Sequence, residues 1–254
     1  MTRTVDLNSD SGEAFGSWSM GDDAAMMKIV SSANIACGFH AGDPLTMRST
    51  VEAAAKNDVS IGAHVSYPDL VGFGRRFMDM TPAELSAAVL YQMGALEAVC
   101  RASNTRISYV KPHGGLYNAI VHHEKQAEAV AYAVKEFGSD LPILCLPNSE
   151  IERKALTLNV PVVHEVFADR GYTPEGTLVS RTQPGAVIHD VDKVAQRVLQ
   201  MATEGTVVAN DGSTVTLDAQ SICVHGDTPG AVAIAQKVRE TLTAHDVEIR
   251  SFCA

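Results

Sequence analysis

Seven short apolar runs rich in β-branched residues recur along the chain: Val5 to Leu7, Ala33 to Cys37, Val59 to Val65, Ile107 to Val110, Ile143 to Leu146, Val160 to Phe167, and Ser221 to Val224. The segments between them carry a helical period and explicit start signals, an order that produces parallel strands joined by right-handed crossovers. The helix opening at Thr81 is the plainest. Thr81, Pro82 and Glu84 supply an N-cap hydroxyl, a first-turn proline and a capping-box carboxylate, and Leu85, Val89, Met93 and Leu96 follow at spacings of three and four. Asp43-Pro44 and Thr228-Pro229 open two more helices by the same logic, Ser149 and Asp190 cap two others, and Gly138 closes the helix through Val130 and Val134. One segment departs from the alternation: between Gly205 and Leu217, two alternating runs flank Asp211-Gly212 and predict a small β-hairpin decoration before the last strand.

No internal repeat or Gly/Ser/Pro linker divides the 254 residues. The pattern therefore predicts an α/β fold, a single (β/α) barrel domain over residues 1–254, with a doubly wound open sheet as the alternative. A composition of 46% hydrophobic and 20% charged residues is enough to build a globular core. The net charge of -10, with no local basic patch, argues against nucleic acid and anionic membranes as partners. Neither an apolar leader nor a membrane-length apolar stretch is present, so the expected compartment is cytoplasmic. Cys37, Cys100, Cys145, Cys223 and Cys253 form no CxxC pair and read as reduced thiols, mostly buried.

The titratable residues collect immediately after the apolar runs, at the carboxyl ends of the predicted strands, where barrel active sites are assembled. Strand alternation puts Asp6, Asn8 and Asp10 on one face, opposite Val5 and Leu7. His40, His64, His113 and His225 each follow a strand; a single such histidine would read as structural, but four in equivalent positions point to a shared site. With Asp10 they suit either a divalent ion or an acid and base for attack of water on an amide. Lys111 is placed to hold a phosphate or carboxylate, Arg170 to clamp a carboxylate, and Arg75 and Arg76 read as part of a mobile lid. His122, His123, His189 and His245 fall in helices or caps, and His164 points away from Glu165. No P-loop, Rossmann fingerprint, GxSxG elbow or HExxH occurs.

The strings DLNSDSGEAFG, SANIACGFHAGDP, GAHVSYPD, GFGRR, YQMGAL, VKPHGGLYN, EVFADRGY with LVSRTQPGAVI, and CVHGD span nearly the whole chain in order and together resemble the LamB/YcsF family. The resemblance implies a seven-stranded (β/α) barrel of the glycoside hydrolase/deacetylase type. It also implies a role beside subunits B and C of an ATP-dependent 5-oxoprolinase, cleaving the lactam of 5-oxo-L-proline to L-glutamate. Carried onto this sequence, it marks a set of strand-end residues whose roles follow from their chemistry: Asp10, His40, His64 and His113 are expected to be catalytic, with Asp10 and His113 handling protons of water and amide. Glu13, Asp43, Lys111, Asp169, Arg170 and His225 are expected from their chemistry to hold substrate or phosphate, and Asp10, His40 and His113 are the candidates should a divalent metal bind. Two departures from the family pattern stand out: Leu146-Pro-Asn-Ser-Glu150 replaces a glycine-containing stretch, and Val65 replaces a proline after His64. The rival expectations are a metal-dependent deacetylase acting on an N-acetylated carbohydrate, and a non-catalytic scaffold that binds partners.

Overall fold

Each apolar run becomes a strand whose outward residues meet a helix and whose inward residues face the axis of a closed barrel. The computed structural model describes residues 3–138, 140–226 and 230–253. In chain order the elements are β1 (Arg3–Ser11), α1 (Asp23–Met26), β2 (Ser32–Ala36), α2 (Pro44–Lys56), β3 (Ser60–His64), α3 (Pro82–Ala102), β4 (Ile107–Val110), α4 (Gly114–Ala119), α5 (Glu124–Glu136), β5 (Ile143–Cys145), α6 (Glu150–Thr157), β6 (Val162–Phe167), α7 (Val191–Glu204), β7 (Thr206–Val208), β8 (Thr214–Thr216), β9 (Ser221–Cys223), α8 (Ala231–Ala244) and β10 (Val247–Ile249). Seven parallel strands run in the order β1-β2-β3-β4-β5-β6-β9, and β9 pairs back onto β1 with Leu7 opposite Ile222. That closure rules out the open doubly wound sheet. The short β10, not anticipated from the sequence, adds in parallel to the start of β1, with Arg3 opposite Val247.

The local signals act as expected. Thr81 and Glu84 form the capping box of α3, and Asp43, Ser149 and Asp190 cap α2, α6 and α7 through their side chains. Gly138 follows the end of α5 with φ +85°. The hairpin is β7 paired antiparallel with β8. The helix start at Thr228-Pro229 lies outside the described residues; α8 is described from Ala231. The five cysteines are free and all but Cys253 are buried. Among the described residues, no helix is long and apolar enough to cross a membrane.

The apolar core lies in the ring between strands and helices, where Leu7, Ile35, Ile61, Val110, Ile143, Val166 and Ile222 face Val51, Val89, Val130, Val198 and Val238. The axis of the barrel is polar instead. Asp6 accepts hydrogen bonds from Ser31, Ser32 and Ser221, and Asn8 donates to Ser221 and Glu165. Asn34 donates to Asn8 and Asp10 and accepts from the Tyr109 hydroxyl. Gly62 makes room for this column: a Cβ there would sit 2.2 Å from the Tyr109 ring. At the foot of the barrel Phe252 packs edge-on against Tyr109, with ring centroids 5.1 Å apart. The column therefore begins at Asp6 and rises to Asp10, where the chemistry collects.

Candidate active site

At the carboxyl ends of the strands a cavity of about 510 Å³ opens, lined among others by Asp10, Glu13, His64, Lys111, His113, Arg170, Arg181 and His225. Strand geometry places most of these groups. Asp10 belongs to β1, His64 ends β3, Lys111 and His113 closely follow β4, and His225 lies two residues beyond β9. Gly12, with φ +69°, turns the chain so that Glu13 returns over the mouth. His40, from the turn after β2, is wholly buried behind the cavity wall and stacks on His113 at 3.8 Å between ring centroids.

Lys111 sits at the top of the polar column. Its ammonium lies 2.9 Å from Asp10 Oδ1, 2.8 Å from Glu165 Oε1, 3.3 Å from Asn8 Oδ1 and 3.1 Å from Cys223 Sγ. Burial alone would discharge this lysine, but the carboxylates of Asp10 and Glu165 outweigh it and hold its pKa well above the ordinary value. Burial likewise pushes Asp10 up, and His64 and Lys111 reverse this, leaving its carboxyl well below the usual range and ionised. The Cys223 thiol is pushed well above its ordinary value by burial and stays protonated. Glu165 is a site residue that the sequence reading misses, although its alternation with Phe167 along β6 points it inward.

The histidines present a specific problem of proton placement. His64 Nδ1 lies 2.9 Å from the Lys111 carbonyl oxygen and His113 Nε2 lies 2.9 Å from that of Phe73, so each ring donates its N–H away from the cluster. The remaining nitrogens, His64 Nε2 and His113 Nδ1, then face each other at 3.0 Å. Glu13 Oε1 joins them, 3.4 Å from His113 Nδ1, 3.9 Å from His64 Nε2 and 3.2 Å from His40 Nε2. Burial, reinforced by the neighbouring imidazoles, holds His40 and His113 well below the ordinary imidazole pKa, so both are neutral near pH 7. The buried His40 Nδ1 has no hydrogen-bond partner among the described residues.

Imidazole nitrogens converging with a carboxylate suit a shared cation, and outward carbonyls like those that fix His64 and His113 are what metal-binding histidines use. Glu13, His40, His64 and His113 thus form a donor set that fits a divalent ion with a taste for imidazole and carboxylate, such as zinc. Asp10, counted with His40 and His113 as a metal candidate from the sequence, is instead tied by Oδ1 to Lys111, with Oδ2 3.4 Å from His64 Nε2. A second cluster of Asp10, Cys223 and His225 does not fit, because the Lys111 ammonium already stands against two of its three members.

The loop after β3 is fastened to this group. Gly115 N donates to the Gly74 carbonyl at 2.7 Å, Phe73 supplies the carbonyl that orients His113, and Arg76 pairs with Asp69. Gly74 has φ +61°, and a Cβ there would lie 2.8 Å from both His40 and His113. Phe73 itself takes a left-handed conformation, φ +53°, a strained state for an aromatic residue that persists where its surroundings demand it. The mobile lid expected at Arg75 and Arg76 is therefore a strap: Arg75 lies over the Phe73 ring and Arg76 turns away to Asp69.

Across the cavity, His225 Nδ1 lies 2.7 Å from Asp169 Oδ1, and His225 Nε2 lies 3.0 Å from Arg181. A guanidinium only donates, so Nε2 presents its lone pair to Arg181 and Nδ1 donates to Asp169. Burial raises the Asp169 carboxyl, but His225 outweighs it and the pKa is lowered. Arg170, expected to clamp an anion, donates instead to the carbonyls of Ala186 and Val179, and burial brings its pKa down to about 10. Asp43 stands apart from the cavity, its oxygens taken by Leu45, Thr46 and Gly16. Arg181 is a second site residue that the sequence reading misses, since nothing in a loop's sequence says where its side chain ends.

The other histidines fall largely as expected. His123 caps α5, His245 ends α8, and His164 bonds to Glu152 and Asp218 away from the cavity. His189 is exposed beside the α7 cap, whereas His122 borders the cavity rim. Asn148, in the stretch that departs from the family pattern, has φ +61°, the conformation that asparagine tolerates best after glycine.

Comparison with known proteins supports the resemblance. The A subunit of the 5-oxoprolinase from Kocuria rhizophila is 60% identical over 248 residues, covering 98% of both chains. The crystal structure of a lactam utilization protein from Thermus thermophilus superposes with a TM-score of 0.94 at 43% identity, over 98% of this chain and 100% of that one. A family 4 carbohydrate esterase from Streptomyces lividans, in complex with acetate, aligns over 97% of this chain and 91% of its own with a TM-score of 0.52 and 13% identity, and so speaks for the barrel alone. The LamB/YcsF family profile matches residues 5–254, and the chain belongs to the LamB/YcsF family.

Proposed function

We propose that the chain is the A subunit of an ATP-dependent 5-oxoprolinase, a single barrel domain that works with subunits B and C in the cytoplasm to convert 5-oxo-L-proline to L-glutamate. The observation that carries this reading is the buried convergence of Asp10, Glu13, His40, His64 and His113 at one barrel mouth, in a chain 60% identical to a protein of that name. In the reaction, the oxygen of water bonds to the lactam carbonyl carbon, the C–N bond breaks, and the nitrogen takes a proton to become the amine of glutamate. An unstrained lactam carbonyl is a poor electrophile. Transfer of a phosphoryl group from ATP to its oxygen activates the carbon, so that attack of water and cleavage of the C–N bond leave an acyl phosphate, and a second water displaces inorganic phosphate from it to complete glutamate.

Asp10 is the base in this scheme: ionised and aimed by Lys111 and Asn34, it accepts the proton of the attacking water. His225, held in one tautomer by Asp169, faces the same cavity, where Nε2 is placed to take a proton from solvent and pass it to the departing nitrogen. A divalent ion held by Glu13, His40, His64 and His113 would polarise the carbonyl or the water. Lys111 and Arg170, already committed inside the protein, serve the geometry of the site.

The test is glutamate release from 5-oxoproline by the reconstituted complex, with ATP or each partner omitted in turn. Glutamate is expected only when all are present, and Asp10→Ala is expected to retain assembly while losing turnover. Acetate release from an N-acetylated carbohydrate by this chain alone, without ATP, would instead establish the deacetylase. Unchanged turnover in Asp10→Ala would remove the site, as a scaffold requires.

A further inference from the structure

Among the described residues, four cationic side chains border the cavity: Lys111, Arg170, Arg75 and Arg181. Their commitments differ. The Lys111 ammonium is surrounded by acceptors from Asp10, Glu165, Asn8 and Cys223. Arg170 is buried and bound to two backbone carbonyls, which suspends residues 179–186 from the end of β6. Arg75 lies over the Phe73 ring on the imidazole side. Arg181, carried at the tip of the segment that Arg170 suspends, is exposed, and its guanidinium meets the neutral Nε2 of His225 at 3.0 Å.

We propose that Arg181 binds the carboxylate of the substrate, and that its contact with His225 is a resting position which it leaves when that carboxylate arrives. This rests on the lactam reading above, because 5-oxoproline carries one carboxylate beside its ring. A guanidinium prefers a carboxylate, which it grips through two parallel charge-assisted bonds, over a neutral imidazole that accepts one. The exchange changes His225 as well as Arg181. While Arg181 donates to Nε2 that nitrogen cannot bind a proton; once Arg181 turns to the substrate, Nε2 is free toward the cavity while Asp169 still holds Nδ1. Arrival of the carboxylate thereby arms the imidazole. A lactam without a carboxylate leaves it blocked.

The inference is tested in the complete complex with Arg181→Met and Arg181→Lys. Loss of a charged hydrogen-bonding pair is expected to raise KM for 5-oxoproline about 10- to 100-fold in Arg181→Met, with kcat changed less than about threefold. Arg181→Lys should recover part of that loss, since it keeps the charge without the fork. A second readout is the His225 side-chain nitrogen resonance of the labelled chain. It should move on addition of 5-oxoproline but not of 2-pyrrolidinone, which lacks the carboxylate, and in Arg181→Met it should start at a shifted position. Turnover with an unchanged KM in Arg181→Met, or equal responses to the two lactams, overturns the assignment alone. Absence of any glutamate from the wild-type complex overturns the parent reading, and this one with it.

Discussion

The two walls of the cavity are built on opposite plans. On the side of β1 to β4, Glu13, His40, His64 and His113 are buried, and backbone carbonyls from Lys111 and Phe73 orient two of the three imidazoles. On the side of β6 and β9, His225 depends on Asp169 beneath it and on Arg181, which reaches in from an exposed segment. The first wall has its geometry set before any ligand arrives, as electrostatic stabilisation of a reacting group requires. The second wall has a donor that can change partners at little cost, which suits recognition. Fixed and exchangeable contacts thus occupy separate strands of one barrel.

The sharpest way to break this contrast is to remove a donor from the fixed wall. His113→Ala should lower turnover by about a thousandfold and reduce bound divalent metal from near stoichiometric to a trace, read by elemental analysis of the purified protein. Full metal content with full turnover would show that the imidazoles merely pack. Next in size is the support beneath that wall. Lys111→Met leaves the Asp10 and Glu165 carboxylates buried without their shared cation and should cost about 3–5 kcal/mol of stability in urea unfolding. A variant as stable as the wild type would mean that water or a proton replaces the ammonium.

The smallest effect belongs to the foot of the column. Burial raises the Asp6 pKa from 3.8 to about 6 despite the three serine hydroxyls around it. The folded protein therefore holds this proton more tightly than the unfolded chain, and stability falls as pH rises from about 4 through about 6. Relative to Asp6→Asn, the wild type should lose up to about 3 kcal/mol across that window and none above it. Parallel stability-versus-pH curves for the two proteins would refute the raised value.

The strands that carry both walls are legible in the sequence because alternation along β1 already separates Asp6, Asn8 and Asp10 from Val5 and Leu7, and the same inward positions recur on β6 and β9. Grouping Asp10, His40, His64 and His113 follows from their places after successive strands. What escapes is set by contacts rather than period. β10 spans only Val247–Ile249, too short to show alternation. The carbonyl of Phe73 is backbone, so no residue type announces it. The glycines beside Arg75 suggest mobility, yet Gly74 serves close approach to His40 and His113. Arg170 and Arg181 look equivalent as letters, and only the path of the intervening loop makes one an anchor and leaves the other exposed.

The absent side chain at Gly62 bears on how this barrel drifts over generations. The phenol of Tyr109 fills the space where a Cβ would be, and its hydroxyl reaches Asn34. A descendant that gains even a methyl group at position 62 has to shrink or redirect position 109, and a smaller residue there would strand the Asn34 oxygen. The two sites are a lock whose halves are inherited as a pair, so an alanine at 62 should be found only in lineages that have already given up the tyrosine.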